Sequence, residues 1–178
     1  MIKVLFVIAF RNFQDWEFLK TKEILEKNAI ECDVCSTQKG LAKGTFGAEF
    51  KVGKIFEEIN TKDYDCIIFV GGAGTPSIRA NKYSIKLAGD FFKQNKLVCA
   101  ICWAPTILAK AGILKNKNAT VWLGFDEDYN MNTDKVLEQY GADFVDKELV
   151  VDRNIITANG PPIAEQFGQE IVKHLSKK

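Results

Sequence analysis

Cys102 is the residue in this chain best placed to do chemistry. It follows the apolar run from Leu97 to Ile101 and precedes a segment of helical character that ends at Gly112. A buried strand feeding directly into a helix makes a sharp turn, and small neighbours are needed there; Ala100 and Ala104 flank the cysteine two places away on either side. Pro105 falls in the first helical turn, where a missing N–H is harmless. The helix N-terminus and its unpaired N–H groups are expected to favour thiolate over thiol. A buried structural cysteine is the other reading. Glu17 follows the first strand in the opening turns of the next helix, and its carboxyl is a candidate proton shuttle for Cys102, or else an exposed residue complementing the helix dipole. Gly71 and Gly72 follow another buried strand and permit close backbone approach, or form a tight turn into Pro76. The N–H groups of Gly72 and Trp103 form a candidate oxyanion cradle.

Other chemistries lack their residues. His174 is the one histidine and sits near the end of a terminal helix, so the chain does not supply the imidazole of a cysteine protease. Cys32–Cys35 and Cys99–Cys102 have C-x-x-C spacing, but both pairs lie in strand-like runs, where positions i and i+3 point to opposite faces. No metal site is expected. The glycine loop is GGAG, not GxGxxG, and has no Walker lysine, so no nucleotide and no other cofactor is expected.

Positioning these residues requires a sheet. Residues 2–9 form an apolar run of the kind buried on both faces. A helical stripe (Trp16, Leu19, Ile24, Leu25) follows, then a strand over 31–36. Glycines and charges from Thr37 to Phe50 predict a hairpin or irregular loop. A helical turn over 55–59, a strand over 65–70, a helix over 84–95 and the elbow strand come next. A strand over 119–123, a helix over 134–140, a strand–turn–strand over 143–159 and a last helix opening at Gly160-Pro161-Pro162 complete the chain. Alternating strands and helices predict an α/β fold with a mostly parallel sheet covered on both faces, over one domain, 1–178. Such sheets place sites outside the carboxyl ends of their strands, where the loops after Ala9, Val70 and Ile101 converge.

The chain has 178 residues, 47% hydrophobic, with 24 basic and 23 acidic side chains. That balance calls for neither nucleic acid nor membrane, and the apolar start reads as a strand and not as a signal peptide. Five cysteines are an odd number, read as reduced thiols, and a cytoplasmic location is the default expectation.

Four segments together resemble the ThiJ/PfpI family, a class I glutamine amidotransferase-like group that includes an intracellular protease and a parkinsonism-linked deglycase. FQDWEF (13–18) is similar to the family's glutamate-bearing segment. DYDCIIFVGGAG (63–74) is similar to its glycine loop, with Val70 where proline is frequent. VCAICWAPTILAKAGILKNKNAT (98–120) resembles its cysteine elbow, and IITANGPP (155–162) its last strand and Gly-Pro helix start. The resemblance implies a flavodoxin-like three-layer α/β/α sandwich. It implies a reactive Cys102, a protonated Glu17 as its hydrogen-bond partner, and Gly72 and Trp103 as backbone donors. It also implies a homodimer or larger homo-oligomer. Trp103 stands where protease-like members carry histidine, and Trp122 where others do; Trp122 and Gly71 are pocket-lining candidates.

An aldehyde needs no activated leaving group, so a cysteine and a carboxyl suffice for it. The inventory therefore favours an enzyme on small reactive carbonyls, of glutathione-independent glyoxalase or deglycase type. A PfpI-type cysteine peptidase would need an imidazole delivered to Cys102. A redox sensor or chaperone would instead cycle Cys102 through oxidation.

Overall fold

The computed structural model describes residues 1–177. Its apolar runs become the centre of a seven-stranded sheet. The strands are β1 (Lys3–Val7), β2 (Glu31–Ser36), β3 (Lys54–Ile55), β4 (Cys66–Phe69), β5 (Leu97–Ile101), β6 (Leu149–Asp152) and β7 (Ile155–Ala158). They lie in the order β6-β7-β5-β4-β1-β2-β3. All neighbours are parallel except β6, which runs antiparallel to β7. Val4, Leu5, Phe6, Ile67, Ile68, Phe69 and the whole of Val98–Ile101 are fully buried, as strands covered on both faces must be. Each large apolar side chain so buried contributes about 1.5–3 kcal/mol.

The covering helices are α1 (Asp15–Lys27), α2 (Thr75–Ala80), α3 (Lys82–Lys93), α4 (Pro105–Lys110), α5 (Thr133–Gln139) and α6 (Ala164–Leu175). α1 packs on α6 over one face, while α2 to α5 pack on one another over the other. The result is the α/β/α sandwich expected from the sequence.

The region from Thr37 to Phe50 is largely a hairpin. Gly40–Gly44 and Glu49–Val52 pair antiparallel, and Arg11–Phe13 joins their edge. The strand expected over 119–123 is shorter than predicted. Only Asn118–Ala119 pairs, with Asp143–Phe144. Beyond it the donors are drawn off the ladder: Thr120 N bonds to Thr157 Oγ1 at 3.0 Å, and Trp122 N to Cys102 O at 2.9 Å. The chain therefore crosses the end of the sheet and does not extend it. Phe125–Asp126 and Met131–Asn132 then form a small hairpin that the sequence did not signal.

From β1 the chain winds outward to β2 and β3 on one side, and from β4 to β5 and β7 on the other. The carboxyl ends of β1 and β4 thus form a topological switch point, where a crevice opens. Glu17, the Gly71–Gly72 loop and Cys102 all follow strands at this end.

Candidate active site

Cys102 takes the bend between β5 and α4 with φ of +64°. A residue with a Cβ pays about 1–2 kcal/mol in that region, so its surroundings must fix it. They do so through its backbone: Cys102 N donates to Ala158 O at 2.9 Å, and Cys102 O accepts from Trp122 N. Ala100 and Ala104, both fully buried, leave room for the turn. The side chain is 8% exposed.

Glu17 reaches the same place from the opposite direction. Gln14 caps α1, its side-chain oxygen accepting from Trp16 N at 2.7 Å and Glu17 N at 3.2 Å. The capped turn aims Glu17 inward, and the residue is 0% exposed. This corrects the expected stripe of Trp16, Leu19, Ile24 and Leu25. Trp16 and Leu19 face outward, and the inner stripe is Glu17, Phe18, Thr21 and Leu25. The reason is shape. Phe18 packs edge-on against Phe6, Phe13 and Phe50, which sets the helix rotation, and Trp16 stacks outside on Phe46 at 4.8 Å.

The glycine loop joins the two. Gly71 N donates to Glu17 Oε2 at 2.9 Å, and Gly71 O accepts from Gln14 N at 2.9 Å. A Cβ on Gly71 would stand 2.6 Å from the Cys102 Cβ and 2.9 Å from Glu17 Oε2, so only glycine fits between them. Gly72 has φ of +110°, and a Cβ there would meet Asn12 O at 2.5 Å. The backbone N–H groups of Gly72 and Trp103 lie near enough to the Cys102 sulfur to favour its ionised form, and the Glu17 carboxyl is its hydrogen-bonding neighbour. Glu17 Oε1 is buried with no well-aligned hydrogen bond.

Burial dominates the protonation of this pair. It pushes Glu17 from the ordinary 4.5 up to about 8, against the opposing pull of Cys102 and the Gly71 N–H. Glu17 is therefore a protonated acid at neutral pH. Burial, then the charge of an ionised Glu17, push the Cys102 thiol well up, and the two N–H donors do not overcome them. The dipole offers little help, since α4 is six residues long and begins three positions after the cysteine.

Cys102 opens onto a cavity of about 430 Å³. Gly72, Ala73, Pro76 and the aromatic side chains of Trp103, Trp122 and Phe125 line it, together with the buried Asp126 and with Glu127 and Asp128, which are exposed and give its mouth. Trp122 is thus a lining residue as expected. Gly71 sits behind the wall, between the acid and the thiol. His174 lies on the last turns of α6, 3.4 Å from Glu170. Ten residues from the start of that helix place it roughly 15 Å along the axis from the switch-point end. The structure does not bring an imidazole to Cys102.

A match to the profile of the DJ-1/PfpI family covers residues 2–174. This chain belongs to the DJ-1/PfpI family. Among its relatives, the protein MJ0967 of Methanocaldococcus jannaschii is 39% identical over 176 residues, spanning 98% of this chain and 83% of that protein. The deglycase PfpI of Pyrococcus furiosus is 30% identical over 174 residues, spanning 98% of this chain and 99% of that protein. The crystal structure of a ThiJ/PfpI domain protein from Brachyspira murdochii superposes with a TM-score of 0.91 at 30% identity, covering 99% of this chain and 97% of that one.

One part of this DJ-1/PfpI site escaped the sequence. Arg79, 2% exposed, bonds Thr106 Oγ1 at 3.0 Å, Asp126 Oδ1 at 2.9 Å and Asp128 Oδ2 at 2.7 Å, and lies 4.6 Å from the Tyr129 ring. It anchors the hairpin that carries the cavity mouth to α4. An arginine in TPSIRA looks like a surface residue, and only the run FDEDY hinted at a charged partner.

Proposed function

We propose that the protein is a cysteine-dependent enzyme on small reactive carbonyls, of the glutathione-independent glyoxalase or deglycase type. The observation that carries this reading is a buried acid, largely protonated at neutral pH, set against a cysteine between two backbone donors. The name of the Pyrococcus furiosus relative supports it.

Cys102 sulfur adds to the aldehyde carbon of a substrate such as methylglyoxal. The S–C bond forms, the carbonyl π bond opens, and the thiol proton passes to the oxygen, giving a hemithioacetal. The N–H groups of Gly72 and Trp103 stabilise the oxygen while it carries charge. Glu17, as carboxylate, then takes the hydrogen of the former aldehyde carbon as a proton, leaving an enediolate; that proton returns to the neighbouring carbon while the hydroxyl proton passes from the first oxygen to the second, so a lactoyl thioester forms. Water hydrolyses the resulting thioester to lactate and frees the thiol. With its pKa near 8, Glu17 is a carboxylate in about a tenth of molecules at pH 7, so turnover rises with pH up to that value. No step uses an imidazole, and none is present at Cys102.

The same reading takes the protein as a homo-oligomer. Trp16 at 49% exposure, Leu19 at 46% and Phe46 at 63% supply an outward apolar face of the kind such contacts bury.

Methylglyoxal consumption tests the chemistry. Cys102→Ala abolishes it, and Glu17→Gln lowers it by about a hundredfold or more. Activity surviving both changes ends this reading.

A further inference from the structure

The carboxylates at the cavity mouth are not used by this chemistry. Asp126 and Asp128 are held by Arg79, while Glu127 is exposed and, among the described residues, makes no ion pair. Three carboxylates against one guanidinium leave a net charge of −2 at the mouth. None of the residues lining the cavity is a lysine or arginine. The aromatic wall selects the same sign. Indole faces carry negative quadrupole density and attract a cation within about 6 Å, tryptophan most strongly. Trp103, Trp122 and Phe125 line this one cavity. Behind Cys102, the buried Glu17 is a neutral acid at pH 7 and adds no positive charge to the cavity.

We propose that this cavity selects small carbonyl compounds bearing a fixed positive charge, such as a quaternary ammonium aldehyde, over those bearing a carboxylate, with Glu127 as the specificity-determining residue. The aldehyde carbon meets Cys102, and the cationic arm lies between the aromatic wall and Glu127. A carboxylate arm in that position meets Glu127 and Asp128 with like charge and nothing to pair it. The identity of the reacting group rests on the carbonyl reading above. The charge preference belongs to the cavity and is testable without turnover.

Two methanethiosulfonate reagents of similar size provide the test, one ending in trimethylammonium and one in sulfonate. The Cys102 sulfur attacks either reagent, a disulfide forms and methanesulfinate leaves. Mass spectrometry of the Cys102 peptide gives each rate, normalised to the same reagent with free N-acetylcysteine. In the wild type at low salt the cation-to-anion ratio is expected about tenfold above that of the free thiol. Glu127→Gln lowers it about threefold and Glu127→Lys about tenfold, and added salt narrows the difference. A wild-type ratio equal to that of the free thiol overturns the proposal. So does a ratio indifferent to Glu127→Lys, or a Cys102 that neither reagent reaches. Methylglyoxal turnover, measured in parallel, separates the two readings: a preserved charge ratio without turnover supports the cavity's selectivity while removing the carbonyl chemistry.

Discussion

Cys102 is held in a backbone conformation that its Cβ disfavours, and the strain has a location and a cause. Its N–H is committed to Ala158 and its carbonyl to Trp122, so the bend cannot relax without breaking the contact with β7 or with the segment crossing the sheet end. Glycine adopts this conformation without the Cβ penalty. Comparing two variants that both lack the sulfur isolates that penalty. Cys102→Gly should be more stable than Cys102→Ala by about 0.5–1 kcal/mol in chemical denaturation, after allowing for the greater freedom of glycine in the unfolded chain. A glycine variant less stable than the alanine variant contradicts a strained elbow. Glu17 is the other costly residue. Its burial opposes ionisation, and the Gly71 N–H and Cys102 only partly offset that effect.

At the level of elements, the site is assembled from loops of unequal support. The elbow and the glycine loop are fixed by strands buried on both faces. The hairpin from Phe125 to Asn132 has two short paired segments and depends on the buried Arg79–Asp126 pair. Removing one partner of such a pair leaves an uncompensated charge, which costs about 3–5 kcal/mol. Arg79→Ala should lose stability of that order in denaturant titrations, whereas replacing both partners (Arg79→Met with Asp126→Leu) should recover most of it. A loss below about 1 kcal/mol for Arg79→Ala shows that the hairpin stands without its anchor.

Across the whole molecule, the sequence carried the sheet and its switch point more clearly than the cavity. Continuous apolar runs marked β1, β4 and β5 because strands covered on both faces have no polar side to alternate with. The loops after them have to meet at one end of the sheet, and that brings Glu17, Gly72 and Cys102 together. The rotation of α1 was misread because hydrophobicity ranks Trp16 above Glu17, while packing around Phe18 turns the acid inward. The cavity mouth was illegible because FDEDY has no period, and its buried partner Arg79 lies nearly fifty residues earlier. The burial of Cys102 and Glu17 was equally illegible in local motifs, since it depends on the full set of layers. That burial also makes the acid a property of the folded state as a whole. The unfolded chain releases the Glu17 proton near 4.5 and the folded protein holds it to about 8. Between those values the folded state binds more protons, so stability falls as pH rises, by up to about 1.4 kcal/mol per unit. The decisive measurement is the unfolding free energy of wild type and Glu17→Gln from pH 4.5 to 9. The wild type should lose stability relative to the variant steadily across that window and level off above about 8; curves that stay parallel throughout would mean that position 17 holds no buried proton beside Cys102.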